Sequence, residues 1–493
     1  MRKKEVQQLS PDGIQYRRSS TGDIILAQCS YMAYALFATL MTYASYMASA
    51  GYGIATAVVG VILTGITIFD GITDPIAARI IDNFNTKHGK IRILLWIGFA
   101  ISTAALILMY FVLSTGKLGI ITFIIIDAIF YIGFTVFCVT QQTIPPVMTN
   151  DPKQRPQISM WGTIVGIFPP IILVIYNSAV LLPKYGNEYT VPMLREMCLT
   201  VIIAAAFALV LSMIGLRKCD KPENFKGLHA EQEKVSFGDM VSMFKENKAL
   251  QSYFFAAASD RLAGSVAGQS VVTTMVAGIL YRDMAKYSTI SLIPMVIGMV
   301  ALVFCAKANG NMGSKRGIKF WSAIGIGLSA VEFAYMCFLM MNGKLDKVLS
   351  TGILIVLYIL FTAVRSVINN GNGNATNMMM ADVIDYQCYL TGKYMPAAVT
   401  ATYSFLDKAI SSLGSTICLG LLALIGYHST LPQPTDEATA KIFFVAMFIN
   451  IGLPCIGWIV NVISMRFNPL TKEMMVEVQR TITDKKSELE AEL

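Results

Sequence analysis

The stretch Val58-Val59-Gly60-Val61-Ile62-Leu63-Thr64-Gly65-Ile66-Thr67-Ile68-Phe69-Asp70-Gly71-Ile72-Thr73-Asp74-Pro75 reads as a membrane-spanning helix that carries two acids. A spanning helix needs about 20 mostly apolar residues, and the run centred near residue 66 supplies them. A charged side chain at bilayer depth costs roughly 2.5–3.5 kcal/mol on insertion scales. Asp70 and Asp74 stand at i and i+4, so they share one helix face with Cβ atoms about 5–6 Å apart. Two like charges that close do not both stay ionised in a low-dielectric site without a cation or a proton. Pro75 has no N–H, so the Gly71 carbonyl one turn earlier loses its helical partner. That carbonyl, the two carboxylates and the Thr73 hydroxyl are hard oxygen donors, suited to sodium, lithium or a proton rather than a transition metal. The competing account is a structural acid pair satisfied by a Lys or Arg on another span.

Working outward, the 493-residue chain is 55% hydrophobic and 14% charged, where a soluble domain carries about a quarter charged residues. Six apolar runs centre near residues 36, 66, 103, 132, 170 and 206, and six more near 265, 296, 330, 362, 412 and 453. The expectation is an all-α polytopic membrane protein: a tail over 1–23, six helices over 24–216, a polar loop over 217–248, six helices over 249–466 and a tail over 467–493. Lys and Arg concentrate in alternate loops, at Lys87, Lys90 and Arg92, at Lys153 and Arg155, in the central loop, and at Lys307, Lys315, Arg316 and Lys319. By the positive-inside rule both termini are cytosolic. The net charge of +8 fits loops beside anionic lipid and calls for no nucleic acid. The links Lys87–Arg92 and Asn309–Arg316 are both short, Gly-containing and basic, a faint sign of two related halves. The nine cysteines form no CxxC pair and read as packing residues.

Ionisable residues inside the spans form a short list: Asp70, Asp74, Asp127, Asp260, Arg261, Arg365, Asp407 and Lys408. Span ten adds Asn369-Asn370-Gly371-Asn372-Gly373-Asn374, and span four adds Thr135, Thr140, Gln141, Gln142 and Thr143. The Asn/Gly run is a poor helix interior by propensity. It suits either a polyhydroxylated ligand at an interrupted helix or close helix–helix contact. Arg365 suits an anionic substituent, or a partner such as Asp260 or Asp127. Asp127 calls for a buried partner. The Asp260–Arg261 pair reads as structural. Lys408 reads as a counter-charge to Asp70 and Asp74 when no cation is bound, or as a local partner of Asp407.

At these residues the chain resembles the glycoside–pentoside–hexuronide:cation symporters, which have the major-facilitator fold. The resemblance rests on Asp70-Gly71-Ile72-Thr73-Asp74-Pro75 with downstream Gly89-Lys90, similar to the family's D-x-x-x-D-P…G-K pattern. It rests also on Asp382-Val383-Ile384-Asp385-Tyr386 with Thr391-Gly392-Lys393, and on the Lys408 region with Gly414-Ser415. It implies that Asp70, Thr73 and Asp74, with Thr135 as a further oxygen donor, form the cation site. It implies that Lys408 is the basic residue near them, and that Arg155 helps gating. Departures include Thr67, where the family commonly has an Arg three residues before the first Asp, and most others fall on the sugar side. Where sugar-binding members carry an acid on span four, this chain has Cys138, and the polar residue of span one falls near Tyr34 or Ser30.

The expectation is therefore a secondary active transporter of a bacterial inner membrane, a symporter of Na+ or H+ with a sugar or glycoside, working by alternating access between two six-helix halves. Tyr34, Cys138, Gln141, Gln142, Arg365, Asn369, Asn370, Asn374 and Lys408 are the candidate substrate contacts, and Arg365 with Lys408 favours an anionic substrate. The alternative is a cation-coupled transporter of lysolipids or other amphiphiles on the same scaffold. No nucleophile–base pair, metal motif or nucleotide loop points to an enzyme. No cofactor beyond the ion is expected, and the chain is expected to act as a monomer.

Overall fold

A computed structural model describes residues 18–83, 89–112, 116–149, 154–221, 237–350, 352–391, 396–471, 473–478 and 480–481. Among these residues all regular structure is helical. Eleven helices are long and apolar enough to cross a membrane, and a twelfth span is formed if Lys248–Ala267 and Ser270–Leu280, bent by 63°, count as one. The chain divides into two compact units, 1–232 and 233–493.

The first unit holds α1 (Thr21–Met41), α2 (Ala44–Tyr52), α3 (Thr56–Asn83), α4 (Ile91–Phe111), α5 (Gly116–Gln142), α6 (Ile144–Met148), α7 (Arg155–Tyr176), α8 (Leu182–Lys184) and α9 (Val191–Leu216). The Ser20 hydroxyl accepts from the Asp23 N–H at 3.1 Å and so caps α1. Gly53, with φ of 65°, ends α2. In lipid there is no hydrophobic force between helices, so small residues and interhelical hydrogen bonds hold them together. Gly98 and Gly133 show this between α4 and α5: a Cβ on Gly98 would lie 2.7 Å from the Phe137 backbone nitrogen, and one on Gly133 2.7 Å from that of Ser102. Across α1 and α9, a Cβ on Gly215 would lie 2.3 Å from the Ala27 nitrogen. The core of this unit includes Phe37, Phe99, Phe123, Phe130 and Phe137, all buried.

At the basic end of this unit the carboxylate of Asp220, just past α9, closes the start of α4. It accepts from the backbone N–H groups of Lys90 at 2.9 Å, Ile91 at 3.1 Å and Arg92 at 3.0 Å, and from the Arg92 guanidinium at 3.2 Å. The approach is so close that a Cβ on Gly89 would lie 2.4 Å from the Asp220 carbonyl oxygen, and Gly89 itself has φ of 91°.

The second unit holds α10 (Phe237–Glu246), α11 (Lys248–Ala267), α12 (Ser270–Thr273), α13 (Met284–Ile290), α14 (Leu292–Met312), α15 (Ser314–Met341), α16 (Gly352–Thr391), α17 (Pro396–Leu424), α18 (Ala440–Met447) and α19 (Leu453–Phe467). The helix α10 falls inside the stretch read as loop from sequence. The Asn/Gly run does not interrupt its span: α16 is one continuous helix of 40 residues. The break falls instead in the seventh span, at Gly268-Gln269. Apolar side chains face outward along the spans of both units; Val303, Phe304 and Ile203 are each about 70% exposed. Water would penalise such a surface and lipid does not.

Candidate cation and substrate site

The candidate cation site forms where α3 packs against α5. Asp70 is half-buried on α3, and the Thr135 hydroxyl of α5, 2% exposed, donates to its Oδ1 at 2.5 Å. The Thr73 hydroxyl donates to the Asp70 backbone carbonyl at 2.9 Å. Its proton is thereby directed into the helix, while its oxygen keeps lone pairs for a second contact. Asp74 follows one turn on within the same helix; its side chain lies outside the described residues, as does that of Arg155 at the start of α7. The Asp70 carboxylate and the Thr135 hydroxyl across the α3–α5 contact, with the Thr73 hydroxyl one turn along α3, are hard-oxygen donors of the kind that fit a monovalent cation or a proton.

An aromatic stack adjoins this contact. Tyr34 of α1 stacks on Phe134, the neighbour of Thr135, with centroids 5.3 Å apart and planes at 10°. Phe134 in turn stacks on Phe130 at 5.4 Å, and the Tyr131 ring meets Phe134 edge-on at 6.3 Å. Tyr34 keeps 37% of its surface exposed. One turn further along α5 come Cys138, half-buried, then Gln141, buried with its amide nitrogen unpartnered, and exposed Gln142. Gln28 on α1, absent from the sequence-derived candidates, is 1% exposed with neither amide atom bonded. Its only sequence signal is an amide within an apolar run. Asp127, also on α5, is fully buried, and neither of its oxygens has a partner among the described residues; the partner expected for it is not found.

In the second unit, two of the polar groups expected to await ligand, Asn374 and Arg365, are bonded to neighbouring helices. Asn309 of α14 donates to the Gly371 carbonyl at 2.9 Å and to Asn374 Oδ1 at 3.0 Å. A Cβ on Gly371 would lie 2.5 Å from the Trp321 ring, so the glycine permits close contact of α15 and α16. Asn369 is exposed and Asn370 half-buried. The Asp260 carboxylate accepts from the amides of Asn372 at 2.6 Å and Asn461 at 3.0 Å, and does not pair with Arg261. Arg261 reaches across to Asp407 of α17 at 3.3 Å, and the Tyr403 hydroxyl bonds the same carboxylate at 3.3 Å. Adjacent helical residues point apart, which explains why Arg261 finds its acid on another helix. Lys408, beside Asp407, is half-buried. Arg365 pairs with neither Asp260 nor Asp127; its guanidinium bonds Glu332 of α15 and donates to the Asn450 carbonyl at 2.9 Å. The sequence reading missed Glu332, which sits in a span whose apolar run masks a single acid.

A helical bundle of this length, apolar outside and with carboxylates and amides inside its spans, defines the class: a polytopic carrier. Residues 27–472 match the family described as MFS/sugar transport protein, and the chain belongs to that family. It is 24% identical over 440 residues to the glucuronide carrier protein homolog of Escherichia coli (strain K12), across 86% of this chain and 88% of that one. It is 20% identical over 440 residues to the putative glycoside/cation symporter YagG of the same organism, across 82% and 84%. The nucleoside transporter NupG shares the fold with a TM-score of 0.60 at 12% identity, covering 91% of this chain and all of that one. A bacterial homologue of the iron transporter ferroportin does so with a TM-score of 0.58 at 11% identity, covering 91% and 98%. The motif resemblance to glycoside–pentoside–hexuronide:cation symporters and the major-facilitator fold thus agree with these comparisons. The relatives are membrane transporters, and this chain is a multi-pass transporter rather than an enzyme.

Proposed function

We propose that the protein is a symporter that couples inward movement of Na+ or H+ to uptake of a glycoside or uronide by alternating access, acting as a monomer in a bacterial inner membrane with both termini cytosolic. The observation that carries the reading is the contact of Asp70 with Thr135 across α3 and α5, one turn before Asp74. A cation entering there gains carboxylate charge and hydroxyl lone pairs together. With the site loaded, the Thr135 proton turns away from Asp70 and its oxygen becomes a ligand. One positive charge moving inward gains about 2.3 kcal/mol per 100 mV, which sustains roughly a fiftyfold concentration ratio at that potential.

The names of the relatives, a glucuronide carrier homolog and a putative glycoside/cation symporter, support the substrate class. The exposed Tyr34 face suits the apolar face of a sugar ring, with Gln141 and Gln142 offering hydrogen bonds nearby. Arg365 is already neutralised by Glu332, so a preference for an anionic sugar rests on the relatives and on Lys408 rather than on Arg365. The test is uptake of radiolabelled glycosides, uronides and lysolipids into proteoliposomes, with and without an inward Na+ or H+ gradient. Gradient-driven uptake of a glycoside or uronide, lost in Asp70→Asn, is the expected result. Uptake of lysolipids alone would replace the substrate assignment, and wild-type uptake by Asp70→Asn would remove the site.

A further inference from the structure

We propose that the basic end of the second unit holds a binding site for a phosphate-bearing anion, at the start of α15. The argument begins with a contrast to α4. α4 opens after Gly89-Lys90 and α15 after Gly313, and both carry basic residues in their first turn. At α4 the chain supplies its own anion, Asp220, which bonds three backbone N–H groups and Arg92.

At α15 the cap residue is Gly313, with φ of 81°, and no side chain caps the helix. Three cations, Lys315, Arg316 and Lys319, crowd its first two turns. Positive charge at a helix N-terminus opposes the macrodipole, and Lys315 with Lys319 is a like-charge pair at i and i+4, which destabilises further. Among the described residues Arg316 and Lys319 have no ion-pair partner. Lys315 donates to a neutral group, the Asn468 carbonyl, at 2.5 Å. The one acid present, Asp382 of α16, accepts from the Ser314 hydroxyl.

These groups line a cavity of about 260 Å³, walled on its apolar side by Met378 and Met475. Three cations against one acid leave two positive charges facing a space at the small end of ligand sites. A phosphate group would repay both the helix-end and the like-charge penalties. The exposed apolar flank of α14 and α15, with Phe304 and Phe320, places an acyl chain within reach. The phosphate could therefore belong to an anionic phospholipid or to a free metabolite; basic pockets at this level of a membrane suit either.

The full-length protein is placed in phosphatidylcholine nanodiscs, with and without phosphatidylglycerol, and its retained lipid is counted by native mass spectrometry. Thermal unfolding is followed in parallel with inorganic phosphate and glycerol 3-phosphate added to the phosphatidylcholine discs. The triple variant Lys315→Gln, Arg316→Gln, Lys319→Gln is expected to bind roughly a hundredfold more weakly, about fivefold for each cation. The single variant Lys319→Gln, with its fivefold loss, serves if the triple fails to fold. Lys344→Gln with Lys347→Gln, at the other end of α15, is expected to change nothing. Retention of phosphatidylglycerol alone identifies a lipid headgroup, and stabilisation by the soluble phosphates identifies a metabolite. Equal binding of all three probes by wild type and the cation variants would overturn the site.

Discussion

Two membrane-depth carboxylates, Asp70 in the first unit and Asp260 in the second, are met by different chemistry. The Asp70 carboxylate accepts from the Thr135 hydroxyl, while the Thr73 hydroxyl one turn on bonds the Asp70 backbone carbonyl. Asp260 is clamped by the amide N–H₂ groups of Asn372 and Asn461. A hydroxyl can rotate its proton away and present an oxygen to an arriving ion, whereas an amide N–H₂ only donates. The first arrangement suits exchange of a travelling ion; the second fixes α11 to α16 and α19.

The largest expected effect tests that difference directly. Asp70→Asn should lower cation-stimulated uptake by on the order of a hundredfold or more, while Asp260→Asn leaves the cation dependence of uptake within about twofold. If Asp260→Asn were the one to lose cation dependence, the contrast would reverse. Next in size is Glu332→Gln, which leaves the Arg365 charge buried without its acid. It should cost about 3–5 kcal/mol, read from denaturant unfolding in detergent. Thr135→Val should raise the cation concentration for half-maximal uptake about tenfold, and Thr135→Ser should restore it; an unchanged value for Val would remove Thr135 from the ion's shell. Asp260→Asn should also lose about 1–3 kcal/mol of stability, because a charge-assisted pair of hydrogen bonds becomes neutral. Smallest is Arg261→Gln: the Arg side of its ion pair with Asp407 is exposed and the Tyr403 hydroxyl still bonds the acid, so a loss of about 1 kcal/mol is expected.

The sequence carried the spans and the place of Asp70 on one of them because both are local. Twenty apolar residues and an i, i+4 pair are legible without knowing any neighbour. Thr135 needed a family resemblance to be joined to Asp70, since the contact links residues 65 apart. The partners of Arg365, Arg261 and Asp260 were missed for the same reason in stronger form: each lies on a helix remote in sequence, and several acids and amides were available. Propensity misled at span ten. Its Asn and Gly residues weaken an isolated helix, but Asn309, Trp321 and Asp260 supply partners along its length, and α16 runs unbroken. The real break, at Gly268-Gln269, was hidden inside a run that reads as one apolar span. Asp220 sits in a charged stretch where nothing distinguishes it from neighbouring solvated residues until its contacts with α4 are seen.

The glycine contact between α4 and α5 has a mechanical consequence. With Gly98 and Gly133 backbone against backbone, the two helices behave as a single stiff plank, and Thr135 is bolted to it. In the ion cycle we propose, displacement at the site then falls to α3, which can slide or flex at Pro75, where one rung of its ladder is missing.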